Sequence, residues 1–249
     1  MSLPNDIQRF LSSYRSLPLE KTVTAKLMHR TDTKYVIRSD DVVDLLHDIR
    51  QDYHILEIAS QRTGIYTSVY YDTSDRQMYY AHVTGRLPRY KVRERLYSQN
   101  GLKFFEVKHK SNTGRTSKRR ISLADNSNIA SDWLSRQMPF HIAELTPALF
   151  VFFERITLIN NEYTERVTFD FNLHFRTLSG MVSPVCDRAA IIELKQAQTA
   201  ASPIREALRC RGVRLGGVSK YCTGMLLTGC ETGYKQYKPK YSQFIKNAL

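Results

Sequence analysis

Arg89, Lys91, Arg93 and Arg95 are cations spaced two residues apart in the run Arg89-Tyr90-Lys91-Val92-Arg93-Glu94-Arg95-Leu96-Tyr97. β-Branched and aromatic residues alternate with polar ones there, which predicts a strand. A strand sends alternate side chains to opposite faces. The four cations therefore share one face, and Tyr90, Val92 and Leu96 take the other. Such a row repels itself unless water covers it or an anion lies along it. Arg presents a planar fork of paired donors to phosphate oxygens, and Lys a movable point charge. The chemistry open to this row is recognition of an extended phosphate. Arg93 and Arg95 would stand about 6.5–7 Å apart, close to the spacing of successive phosphates or their neighbours.

The layout recurs. Phe104 to Lys110 puts Glu106, Lys108 and Lys110 on one face and Phe105 and Val107 on the other. Arg166 to Phe175 has apolar odd positions and polar even ones, and Ile191 to Lys195 places Glu193 and Lys195 together. One such strand alone reads as a sheet with a solvated face. Four strands dominated by cations, with a few acids among them, favour a shared polyanion site.

Bulk properties agree. The chain has 249 residues, 42% of them hydrophobic, and a formal charge of +13. That length suits one large domain or two small ones, and the charge favours an anionic partner. No apolar run approaches a membrane span and no secretory signal is visible. Cys186, Cys210, Cys222 and Cys230 are scattered, which suggests free thiols in a reducing cytoplasm. Nucleic acid is not expected, because Glu106, Asp170 and Glu193 interrupt the cations and no RNA-binding aromatic arrangement is present.

The elements that must position these residues follow from periodicity. Helix is predicted from Asn5 to Tyr14, and a first strand over Thr33–Arg38. Val42, Leu45, Leu46 and Ile49 then mark an amphipathic helix. Ile65–Asp72 reads as a strand and Asp75–His82 as a short helix or turn. Asn100-Gly101 turns the hairpin between strands near 89–97 and 101–109. Thr116–Leu123 is another strand, and Ser127 to Gln137 a helix. A second hairpin turns at Asn160-Asn161, and Ala189–Lys195 is a late strand. Pro203 opens a helix that ends at Cys210 before Gly212. A last apolar stretch ends near Gly229. The tail, 231–249, is basic and reads equally as a mobile arm or a docked helix. A single domain with its core at about 26–230 is expected.

Many antiparallel strands with hairpins imply a barrel or sandwich. Charged strands alternating with helices point to an α+β fold: a closed antiparallel β-barrel, a tunnel, with a polar, basic lumen and helices packed outside.

The chain resembles the polyphosphate polymerase domain of the vacuolar transporter chaperone (VTC) type, in the triphosphate tunnel metalloenzyme superfamily. The resemblance runs from about Arg30 to Gly229. It rests on Thr33-Lys34-Tyr35, Val69-Tyr70-Tyr71-Asp72-Thr73, Lys91 to Tyr97, Phe105-Glu106-Val107-Lys108 and Lys118-Arg119-Arg120. Further along it rests on Phe153-Glu154-Arg155, Arg166 to Asp170, Ile192-Glu193-Leu194-Lys195 and Ser219-Lys220-Tyr221.

The resemblance implies an eight-stranded tunnel that elongates inorganic polyphosphate from ATP with a divalent metal, Mn²⁺ or Mg²⁺. It implies that Lys34, Arg93, Arg95, Lys108, Lys118, Arg155, Arg166 and Lys220 hold phosphates and that Ser219 adds a hydroxyl. Lys91 and Lys195, which share the charged faces, complete the expected set. Glu193 is the implied metal ligand. Glu106 is a second one, with an ion pair to Lys108 as its alternative. Tunnel triphosphatases often carry alternating glutamates before the first lysine, whereas here only Asp32 is acidic in Arg30-Thr31-Asp32-Thr33-Lys34. That departure suits the polymerase branch over a hydrolase or cyclase, and leaves the metal site thin in carboxylates. A tunnel triphosphatase and a non-catalytic polyphosphate-binding module remain the alternatives. A cytoplasmic location is expected, with a membrane-protein partner left open. Asp72 reads as a structural carboxylate, and Tyr70, Tyr71, Tyr79 and Tyr80 as core or barrel exterior.

Overall fold

Alternation of apolar and polar residues obliges each strand to bury one face, and the sheet that results is curled. The computed structural model describes residues 3–24, 31–123, 132–196, 201–231 and 235–248. In chain order the elements are α1 (Asn5–Leu11), β1 (Arg15–Pro18), β2 (Thr31–Arg38), α2 (Val42–Ile49), β3 (Tyr53–Glu57), β4 (Gly64–Asp72) and α3 (Gln77–Val83). There follow β5 (Arg89–Tyr97), β6 (Lys103–Lys110), β7 (Thr116–Ser122), β8 (Thr146–Asn160), β9 (Glu165–Arg176) and β10 (Ala189–Gln196). The chain closes with α4 (Pro203–Cys210), α5 (Lys220–Leu227) and α6 (Lys238–Ala248). Arg30 and the predicted helical residues 127–131 lie outside the described residues, and 132–135 are helical. No described helix is long and apolar enough to cross a membrane, which says nothing of strands.

Eight strands run in the order β2-β10-β9-β8-β4-β5-β6-β7, with β3 paired to β8 and to β1 off this path. The path strands pair antiparallel throughout. The expected closed barrel is corrected here to a curled half-barrel, since β7 and β2 do not pair among the described residues. A physical reason lies at the edge of β2. Tyr35 bridges Leu215, and the Gly216 N–H donates to the Lys34 carbonyl at 2.8 Å. That edge is thus already occupied. The opposite edge, β7, is exposed and carries Lys118, Arg119 and Arg120, charges that discourage further strand addition.

Two apolar clusters lie on the convex side, as the alternation requires. One gathers Tyr35, Ile37, Ile156, Leu158, Val167, Phe169, Ile192 and Leu194 beneath α1, α2 and α4. The other backs β5 and β6 through Val92, Phe105 and Val107. A third cluster departs from the expected wholly polar lumen. Val36, Tyr70, Leu149, Val151 and Ile191 face the concave side and bury Tyr221, Cys222 and Met225 of α5 and Phe244 and Ala248 of α6. The tail is therefore a docked helix over much of its length. Helix α5 approaches so closely that a Cβ on Gly224 would meet Phe175 Cδ1 at 2.3 Å.

A bulge makes this wall possible. The register of β8 and β9 shifts between Phe152 and Glu154, and Asn172 adopts φ of 52°. Asn tolerates that left-handed conformation better than most residues. Its side chain donates to buried Glu154 at 2.7 Å. The slip moves Leu173 and Phe175 to the concave side, so the simple odd–even reading of β9 fails beyond Asp170.

Candidate anion-binding site on the concave face

Registers fix which residues share the concave face. Lys34 lies opposite Glu193, and Lys195 lies opposite both Asp32 and Arg166. Arg155 faces Asp170. Ser68 faces Arg95 and Tyr70 faces Arg93. Lys91, Lys108 and Lys118 stand directly opposite one another across β5, β6 and β7. Like charges so placed destabilise a sheet. From α5 and its cap, Lys220 and Ser219 reach the same face, contacting Asp170 and Lys91. The structure thus brings all eleven expected phosphate residues to one face, from seven strands and from one helix with its cap.

Three carboxylates each tie two cations from different elements. Glu193 takes Lys34 at 2.6 Å and Lys195 at 3.4 Å. Glu106 takes Arg93 at 2.6 Å and also Lys118. Asp170 accepts both arms of the Arg155 fork, at 2.5 and 2.8 Å, and the Lys220 ammonium. Glu106 and Asp170 are each 1% exposed. Burial alone would raise the carboxyl pKa values. The paired cations overcome it and hold all three below the usual carboxylate range. Glu106 pairs with Arg93 and Lys118, in place of the expected Lys108.

Other cations lack such compensation. Arg95 is buried, donates to Ser68 Oγ at 3.0 Å and stacks over Tyr66 and Phe153, with no carboxylate within salt-bridge distance among the described residues. Lys91 donates to Ser219 Oγ at 3.0 Å and lies 3.2 Å from His82 Nε2. Lys91 likewise has no carboxylate within salt-bridge distance among the described residues. Lys108 reaches Asp32 only at 4.0 Å. Burial lowers Lys91 to about 8, and burial followed by repulsion from Arg93 lowers Lys118 to about 7. Lys118 keeps a third of its side chain in water, which softens that shift. Lys195 falls to about 8, chiefly through burial. The site is a half-dry groove with more positive charge than its own acids balance.

The described residues do not fit a cage for a divalent cation. No group of three His, Cys, Asp or Glu side chains gathers among them. Glu193 and Glu106 each present both oxygens to ammonium or guanidinium groups. A hard cation wants several free oxygen ligands.

Residues 29–228 match the family model of the VTC domain. This chain belongs to the VTC domain family. No curated protein matches it. Solved structures similar to this VTC domain include the PH1819 protein of Pyrococcus horikoshii, 14% identical with a TM-score of 0.48 over 79% of this chain and 96% of that one. A Vibrio parahaemolyticus protein described as an adenylate cyclase candidate is 15% identical, TM-score 0.42, over 86% and 98%. HpAC1 of Hippeastrum, an adenylyl cyclase candidate with dominant triphosphatase activity, is 14% identical, TM-score 0.44, over 80% and 96%. At these values the likenesses say nothing of chemistry.

Sequence reasoning missed two parts of the VTC domain's site. Asp170 was placed among the cations but not in the site, although it is the one acid in the alternating run Arg166 to Phe175. Tyr70 is a core residue, as read, but its hydroxyl also accepts from Arg93 Nη1 at 3.0 Å, a contact the sequence reading lacked. The cue was parity: Tyr70 stands two residues from Ser68 on a strand that neighbours β5. Asp72 is structural as expected, accepting from the Thr73, Met78 and Tyr79 N–H groups and the Tyr221 hydroxyl. Arg119 points to Gln137 and Arg120 lies over Phe104, which leaves Lys118 as the member of that run on Glu106.

Proposed function

We propose that this VTC domain is a polyphosphate polymerase that transfers the γ-phosphate of ATP to a growing inorganic polyphosphate chain. The observation that carries the reading is the row Lys91, Lys108 and Lys118 beside buried, uncompensated Arg95. A linear phosphate chain supplies the missing negative charge at close spacing.

Phosphoryl transfer asks for alignment and charge neutralisation more than covalent chemistry. An oxygen of the terminal phosphate of the acceptor chain, already ionised at neutral pH, attacks the γ-phosphorus. A new P–O–P bond forms as the bond from γ-phosphorus to the β–γ bridging oxygen breaks. ADP departs with that electron pair, so no general base is required. In this reading Arg95, Arg93 and Lys108 hold the transferring group, and Lys91 and Lys118 the flanking phosphates. Such preorganised donors act strongest where water is scarce.

A second reading is hydrolysis of tripolyphosphate or a nucleoside triphosphate. It draws on the apolar wall of α5 and α6 across one part of the concave face, which suits a short substrate. Incubation of the purified protein with ATP and Mn²⁺ separates the readings. A lengthening ladder on a gel supports polymerase, and free phosphate alone supports hydrolase. Tight tripolyphosphate binding with no product would leave a binding module and overturn both.

A further inference from the structure

We propose that Tyr70 is a substrate-contacting residue whose phenolic O–H donates to an oxygen of the bound phosphate chain. The proposal rests on the reading of the groove as a phosphate site and adds to it a neutral donor. Tyr70 lies on β4, 4% exposed, with its oxygen accepting from Arg93 Nη1 at 3.0 Å. A phenol both accepts and donates. Among the described residues no acceptor takes the Tyr70 proton. A buried donor left without an acceptor is costly, so such groups find partners. The charged groups that act on it are Arg93, Arg95 and Lys91, which as cations donate and do not accept. An anion drawn in by those cations would bring the acceptor.

The ring is fixed for the task. It stacks on Tyr221 at 5.2 Å and 12°, and Tyr221 donates to Asp72 at 2.6 Å. Asp72 is in turn held by the N–H groups of Thr73 and of Met78 and Tyr79 in the first turn of α3. The hydroxyl beside Arg93 is therefore ordered before binding, which lowers the entropic cost of a phosphate contact. Burial tends to raise the phenol, but the three cations outweigh it and bring it down to about 8. An acidified phenol is a stronger donor to phosphate while it keeps its proton.

The test is tripolyphosphate binding by calorimetry to the full chain and to Tyr70→Phe, at pH 7. Tyr70→Phe is expected to weaken binding roughly ten- to hundredfold with little change in Tm. The effect could instead pass through Arg93, so the cycle with Arg93→Lys decides. If Tyr70 only holds Arg93, Tyr70→Phe has no effect in the Arg93→Lys background. If it donates directly, the loss persists there. Unchanged affinity in Tyr70→Phe, or loss confined to the Arg93 background, overturns the proposal. Arg95→Ala is the control for the groove itself. Weakening by Arg95→Ala without weakening by Tyr70→Phe removes Tyr70 alone, whereas no binding to the unaltered protein removes both.

Discussion

Lys108 on β6 stands 4.0 Å from Asp32 on β2, although five strands separate them in the sheet. Curvature alone brings the two together, since β2 and β7 do not pair among the described residues. An anion chain lying between these walls would add contacts to both. Tripolyphosphate is therefore expected to raise Tm more than inorganic phosphate at equal concentration. At a hundredfold excess over Kd the gain is about 2.7 kcal/mol. A thermal-shift series over phosphate, pyrophosphate and tripolyphosphate checks this, and a flat series would count against the groove as the binding site. Added salt should flatten it progressively through screening.

Arg95 and Arg155 provide a contrast between binding and stability. Both are buried cations over the Tyr66 and Phe153 rings. Arg155 alone holds a buried carboxylate, Asp170. Arg155→Ala leaves that charge to Lys220 only, and is expected to cost about 3–5 kcal/mol in urea unfolding. Arg95→Ala removes a cation repelled by Arg93 and Arg155. Its unfolding midpoint should move less, while tripolyphosphate affinity falls at least roughly tenfold. Equal destabilisation by the two would show that Arg95 is structural.

The cationic faces were legible because period-two alternation survives in short strands. β5 and β6 match their predicted spans closely, and Lys91, Arg93 and Arg95 do share a face. Closure was not legible. It depends on Leu215 and Gly216, a segment without alternation, occupying the β2 edge. The β9 part of the apolar wall, Leu173 and Phe175, was hidden for a related reason: one bulged residue, Asn172, inverts the faces of β9, and alternation carries no mark of it. β1 and β3 were missed as well, being too short to show a period. The pairing of Glu106 with Lys118 needed the β6–β7 register, which lies beyond local sequence.

Glu193 occupies both Lys34 and Lys195. A phosphate arriving at those lysines must compete with it. Glu193→Gln removes the competing charge but keeps the shape. Tripolyphosphate affinity measured in chelator, without divalent ions, is expected to rise several-fold. Stability near neutral pH should fall, because two partly buried ammonium groups lose their counter-charge. A drop in metal-free affinity would instead mean that Glu193 orders the lysines for binding.

The depressed lysines set opposite pH trends for stability and binding. Lys118 near 7 and Lys91 and Lys195 near 8 lie below the ordinary lysine value of 10.5. Between about pH 7 and 10.5 the unfolded chain therefore binds more protons than the folded one. Stability from these groups rises with pH across that window. Anion binding needs the charged form, so affinity falls over the same range. Below pH 7 the lysines are charged in both states and both trends flatten. The carboxylates behave conversely: their folded values are depressed, so their contribution holds above the ordinary carboxylate range and is lost only in stronger acid. Melting curves of the free protein from pH 6.5 to 10, set beside tripolyphosphate titrations at the same pH values, should cross in slope. Binding near pH 8 should also take up protons, seen as a dependence of the observed heat on buffer ionisation. Affinity that is constant to pH 10 would show that these lysines do not touch the phosphate chain.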